Sequence, residues 1–92
     1  MIRRRLRITG RVQGVFYRAW LVEQATALKL AGWVRNRADG SVEAVVDGSA
    51  AAVEELVGKA RTGPRAARVA HVSVDDVDRD EVLTGFETRP TP

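Results

Sequence analysis

Ninety-two residues, 45% of them hydrophobic and 29% charged, suffice for one domain around one core, and the net charge of +3 favours an anionic partner. The absence of cysteine excludes disulfides and thiolate metal sites, and a single histidine, His71, argues against an imidazole-built zinc centre. No apolar run approaches the roughly 18 to 20 residues that cross a bilayer, and no apolar segment follows Met1-Ile2-Arg3-Arg4-Arg5 as a secretory signal requires, so a cytoplasmic location without a membrane partner is expected.

In chain order, Leu6, Ile8, Gly10 and Val12 alternate with Arg5, Arg7, Thr9 and Arg11, the period of a strand with one buried face. Gly10-Arg11-Val12-Gln13-Gly14-Val15-Phe16-Tyr17-Arg18 then turns the chain into a helix. A glycine-bearing bend of this kind aims successive backbone N–H groups at one point, and the helix start adds partial positive charge there. Ala19 to Leu30 is predicted helical, with Leu21, Val22, Ala25 and Leu28 on one face and Gly32 at the exit. Trp33–Arg37 and Ser41–Val46 form a hairpin around Ala38-Asp39-Gly40. Ser49 is the N-cap of a second helix that buries Val53, Leu56, Val57 and Ala60 and stops at Gly63-Pro64. Arg68 to Val74 alternates with Ala70, Val72 and Val74 on one side, Thr84 to Arg89 makes a short strand around Phe86, and residues 90–92 are expected to fray.

This order predicts a single α+β domain over residues 1–92, a ferredoxin-like βαββαβ sandwich. Right-handed crossovers put both helices on one face of a mainly antiparallel sheet, with a short extra C-terminal strand. The plan hosts RNA binders, metal carriers and enzymes, so the site has to decide the function. Residues 1–18 hold six arginines and no acid, whereas Asp75, Asp76, Asp78, Asp80 and Glu81 crowd the other end. These blocks read as solvated edges that attract one another or steer ligands. Arg3, Arg4, Arg5, Arg7 and Arg11 are expected to supply a general positive field, with Arg11 nearest the bend. A nucleic-acid footprint wants stacking aromatics on the central strands, and Leu6–Val12 and Val42–Val46 have none, so no nucleic-acid partner is expected.

The stretch Gly10–Arg18, together with Gly32-Trp33-Val34-Arg35-Asn36 and Asp39-Gly40-Ser41-Val42-Glu43, resembles the acylphosphatase family. Gly63-Pro64, Ala67-Arg68-Val69 and Gly85-Phe86-Glu87-Thr88-Arg89 resemble its closing segments, so the likeness spans nearly the whole chain. It implies hydrolysis of a small-molecule acyl phosphate; no metal or cofactor is expected from a chain without cysteine and with one histidine, and since nothing suggests an obligate dimer a monomer is expected. By the same likeness, Arg18 binds the substrate phosphate, Asn36 positions the attacking water, and amides of Gln13, Gly14, Val15, Phe16 and Tyr17 complete the cradle. Tyr17 stands where the family usually has phenylalanine, which is expected to add a hydroxyl near the mouth of the site. Lys29 replaces a frequent glycine, and a left-handed backbone there costs about 1 to 2 kcal/mol.

The chemistry of the residues agrees. A chain with no evident general acid needs a leaving group that departs unaided, and a carboxylate, with an acid pKa of about 4.3, does so. Positioning and charge stabilisation then remain. A guanidinium presents paired donors that match phosphate, and an asparagine can orient water without being a base. Two other readings are a non-catalytic acyl- or carbamoyl-phosphate-binding domain and, more remotely, an RNA-binding module.

Overall fold

The computed structural model describes residues 1–92 and opens with a ten-residue strand, β1 (Ile2–Arg11), in which Leu6 and Ile8 are buried and Arg5 and Arg7 are exposed. There follow α1 (Tyr17–Ala27), β2 (Ala31–Asn36), β3 (Val42–Gly48), α2 (Ala50–Thr62), β4 (Arg68–Asp76) and β5 (Phe86–Thr88). The sheet order is β4-β1-β3-β2-β5, antiparallel throughout except for β2 and β5. This is the expected ferredoxin-like α+β fold, with β5 added beside β2. No helix is long and apolar enough to cross a membrane.

One face of the sheet is closed by both helices. Leu6, Ile8, Val34, Val42, Ala44 and Val46 from the strands meet Tyr17, Leu21 and Ala25 of α1 and Val53, Leu56 and Ala60 of α2 in one core. Each large aliphatic side chain buried there contributes about 1.5 to 3 kcal/mol. The Ser49 hydroxyl accepts the Ala52 N–H at 3.2 Å and starts α2 as expected.

Helix α1 begins two residues before the predicted start and ends three before the predicted end. Its exit is a Schellman turn, in which the N–H groups of Lys29 and Leu30 reach back to the carbonyls of Thr26 and Ala25, both at 3.0 Å. Lys29 takes the left-handed position (φ 58°), so Gly32 does not mark the exit and is instead the second residue of β2. On β4 the expected alternation is broken. The ladder with β1 slips between Thr9 and Gly10, which leaves Ala70 exposed as the extra residue and turns Val69 toward the core beside buried Val72. The bulge requires a glycine opposite, since a Cβ on Gly10 (φ 117°) would lie 2.2 Å from the Arg68 carbonyl oxygen.

The other face of the sheet carries charge in complementary rows. Arg3 pairs there with Asp47 at 2.9 Å and Arg7 with Asp39, while Arg4 meets Asp76 at 3.0 Å on the side of β1 that it shares with Leu6 and Ile8. Asp47 also takes Arg79 at 2.7 Å, and Glu43 takes Arg35 and Arg37, both at 2.8 Å. The expected positive field of the first strand is therefore largely neutralised, with Arg5 and Arg11 left unpaired. Trp33 is 9% exposed on this face, with the guanidinium groups of Arg35 and Arg89 over its ring at 4.7 and 5.0 Å.

Candidate active site

Between β1 and α1 the chain alternates handedness. Gly14 (φ 72°) and Phe16 (φ 63°) are left-handed while Val15 between them is not, a sequence of dihedrals that makes backbone N–H groups converge. None of the N–H groups from Val12 to Phe16 donates to an acceptor in the protein. Phe16 occupies the N-cap position of α1 and provides no side-chain cap, and no acidic residue stands in the first turn. Such a helix start leaves its own donors and partial positive charge to an external anion. Gly14 adopts its φ freely and a Cβ there would meet nothing within 4 Å, so its hydrogen leaves the approach open. Phe16 has no such freedom, and its backbone carries about 1 to 2 kcal/mol of strain.

The loop borders a hollow of about 340 Å³ whose walls include Gly14, Phe16, Arg18 and, from β5, Thr88. Arg18 projects from the first turn of α1, half-buried. Seven other arginines are tied to carboxylates, namely Arg3, Arg4, Arg7, Arg35, Arg37, Arg79 and Arg89. Arg18 has no such partner, so its donor fork is free to meet two oxygens of one anion.

Asn36 ends β2 in a cross-strand row with Val42 and Ile8, both 0% exposed on the helix-covered face. Its Oδ1 is buried and accepts no hydrogen bond from the protein. A buried acceptor left unmatched costs about 1 to 3 kcal/mol, so this oxygen is poised for a donor from outside the chain. Asn36 does not itself line the hollow. What joins the two is Gln13, whose amide nitrogen donates to the carbonyls of Arg37 at 2.8 Å and Ser41 at 2.9 Å. Because β1 and β2 are both antiparallel to β3, their C-terminal ends share one end of the sheet. Gln13 pins the loop after β1 to the turn after β2 at that end.

Comparison with known proteins gives this geometry its family. The acylphosphatase family profile matches residues 4–88. The chain belongs to the acylphosphatase family. It is 53% identical to the acylphosphatase of Rhizorhabdus wittichii over 90 residues, covering 98% of this chain and 90% of that one. It is 51% identical to that of Rhodospirillum rubrum, covering 94% and 93% respectively. The crystal structure of acylphosphatase from Bacillus subtilis matches with a TM-score of 0.93 at 35% identity, over 97% of this chain and 99% of that one.

Within this acylphosphatase fold, Tyr17 departs from the expectation for its hydroxyl. The ring lies in the core, 1% exposed, and the hydroxyl donates to the Ala60 carbonyl of α2 at 2.8 Å, away from the mouth of the hollow. Burial raises the phenol pKa well above its ordinary value, so the group stays a neutral donor that holds α1 to α2. The β2–β3 turn gripped by Gln13 is braced by Asp39. Its carboxylate accepts the Ser41 hydroxyl at 2.6 Å and the Ser41 N–H at 2.9 Å, with Arg7 on the other oxygen, and these bonds hold its pKa well below the carboxylate range. Val12, Ala19 and Thr88 are wall residues outside the set expected from the sequence, and Thr88 is the one distant from it along the chain. Nothing in the local pattern of Thr88 points to a site, and it reaches the hollow because β5 lies parallel beside β2 with Thr88 opposite Val34.

Proposed function

We propose that this chain is a working acylphosphatase that cleaves the carboxyl-phosphate bond of a small-molecule acyl phosphate. The observation that carries the reading is the unpaired Arg18 guanidinium on an uncapped helix whose preceding loop holds unbonded N–H groups. The loop amides of Gln13, Gly14, Val15, Phe16 and Tyr17 and the Arg18 fork hold the phosphoryl oxygens and stabilise the charge that spreads over them. The Asn36 Oδ1 accepts a hydrogen from water and turns its lone pair toward phosphorus. The new bond joins the water oxygen to phosphorus, and the bond from phosphorus to the acyl oxygen breaks with its electron pair going to the carboxylate. The water proton passes to a phosphoryl oxygen. A leaving group whose acid pKa is about 4.3 needs no protonation at neutral pH.

The chain is read as a single domain over residues 1–92 that works as a monomer in the cytoplasm without a nucleic-acid partner. The open sheet face supports the last point, because the Trp33 ring there is already contacted by the guanidinium groups of Arg35 and Arg89. Hydrolysis of benzoyl phosphate, followed by absorbance, tests the reading. Catalysed release of benzoate and phosphate is expected. Phosphate binding with no turnover would make the chain a binding domain instead.

A further inference from the structure

We propose that the Phe16 side chain is the platform for the acyl group, so that the protein selects acyl phosphates with aromatic or bulky apolar acyl parts over acetyl phosphate. This rests on the acylphosphatase reading above.

Phe16 is 83% exposed, whereas both tryptophans and the tyrosine are at least partly buried. Its ring has no aromatic partner, since the ring pair of the fold is Tyr17 with Trp20 at 5.4 Å. The ring thus adds little to the core, yet it stands on a left-handed backbone that a glycine would adopt without strain. A large apolar side chain in that position has its use outside the fold. It has a definite place there, on the wall of the same hollow as Arg18, with apolar Val12 and Ala19.

The substrate's shape completes the case. The Phe16 N–H belongs to the loop that receives the phosphoryl group, and the acyl carbon is two bonds from phosphorus. An acyl group leaving the cradle therefore starts within one residue of the ring. Its polar end is held by Arg18 and the amides, so the remaining recognition is of apolar surface, as in most small-molecule sites. An aromatic acyl group can stack on or meet the ring edge-on, and an acetyl group is too small to cover it.

The test is the kcat and KM of the unchanged chain, Phe16→Ala and Phe16→Leu on benzoyl phosphate and on acetyl phosphate. Phe16→Ala is expected to lower the benzoyl-to-acetyl ratio of kcat/KM by about tenfold, the size of losing roughly half a ring's apolar contact. The loss should appear as a higher KM for benzoyl phosphate, and Phe16→Leu should recover part of it. An equal loss on both substrates means that the ring acts only through loop conformation, and an unchanged ratio means that it touches neither; each overturns the inference while leaving the enzyme assignment intact. Failure of the unchanged chain to hydrolyse either substrate overturns the enzyme assignment itself, and this inference with it.

Discussion

The side-chain nitrogen of Gln13 donates to the carbonyl of Arg37 at 2.8 Å, so the loop that leads to Arg18 is fastened to the residue that follows Asn36. The second bond, to Ser41, clasps the turn from its other side. Gln13 thus acts through its side chain as a positioning residue, in addition to any amide it offers the anion. Gln13→Ala is expected to lower kcat/KM by about tenfold to a hundredfold, because displacement of catalytic groups by a fraction of an ångström to one ångström has that cost. Steady-state kinetics check this, and inhibition by inorganic phosphate should weaken much less than turnover.

Arg18 and Asn36 separate in their effects. Removing the guanidinium by Arg18→Ala should remove about 2.7 to 4 kcal/mol of transition-state stabilisation, and Arg18→Lys should remain poor because one ammonium cannot make a forked contact. Asn36→Ala should lower kcat while phosphate still inhibits. The kinetics of the two variants with phosphate as inhibitor decide between these patterns, and near-normal turnover by either would remove its residue from the mechanism.

An anion at the uncapped start of α1 should also stabilise the fold. At tenfold the dissociation constant, inorganic phosphate contributes about 1.4 kcal/mol, or a rise of about 5 to 10 °C in Tm for a domain of this size. Thermal scans with and without phosphate measure the rise. It should vanish in Arg18→Ala, and a rise of equal size in that variant would place the anion elsewhere.

Acid should unfold the chain through its carboxylate clasps. The Arg79 bond lowers the Asp47 pKa, burial opposes this, and Arg3 adds to the lowering; burial of Glu43 likewise opposes its bonds from Arg35 and Arg37, which prevail. A folded pKa below the unfolded one contributes stability that is complete above the unfolded value and is lost as pH falls, here from about pH 4.5 downward. Urea midpoints between about pH 7 and about pH 3 should fall accordingly. Asp47→Asn should flatten the curve and cost about 3 kcal/mol at neutral pH, since Arg3 is left buried without its counter-charge.

The left-handed Lys29 offers a gain. Its backbone carries the expected strain, its side chain is exposed, and the Schellman turn uses only its N–H. Lys29→Gly is expected to raise unfolding stability by about 1 kcal/mol, read as a higher denaturant midpoint. A lower midpoint would show that glycine's entropy in the unfolded chain outweighs the relief of strain.

Much of this was legible in the chain alone. The alternation of Leu6 and Ile8 with arginines, the helical spacing of Val53, Leu56 and Ala60, and the Asp39-Gly40 turn each express a period or a preference a few residues long. Local sequence therefore carried them into the observed elements. Errors arose where a distant strand intervened. Ala70 was expected inward with Val72 because alternation knows nothing of a slip in the ladder opposite Gly10. The hydroxyl that Tyr17 adds to the family's usual phenylalanine is expected at the mouth, whereas successive positions at a helix start point in different directions and Tyr17 points at Ala60.

The motif around Gly14 and Arg18 marked an anion cradle by residue type and order, and its resemblance, with Asn36, to the acylphosphatase family named the chemistry. Which arginines are neutralised, and which, like Arg5, Arg11 and Arg18, keep no carboxylate partner, is a matter of register. Arg3, Arg4 and Arg7 meet Asp47, Asp76 and Asp39 only because particular strands pair at particular positions, and Arg18 lies beyond them all. The Thr88 wall, the Gln13 clasp and the buried Oδ1 of Asn36 likewise exist only once the chain ends of β1, β2 and β5 have been brought together. Composition and spacing act along the chain, whereas pairing and burial act between segments tens of residues apart.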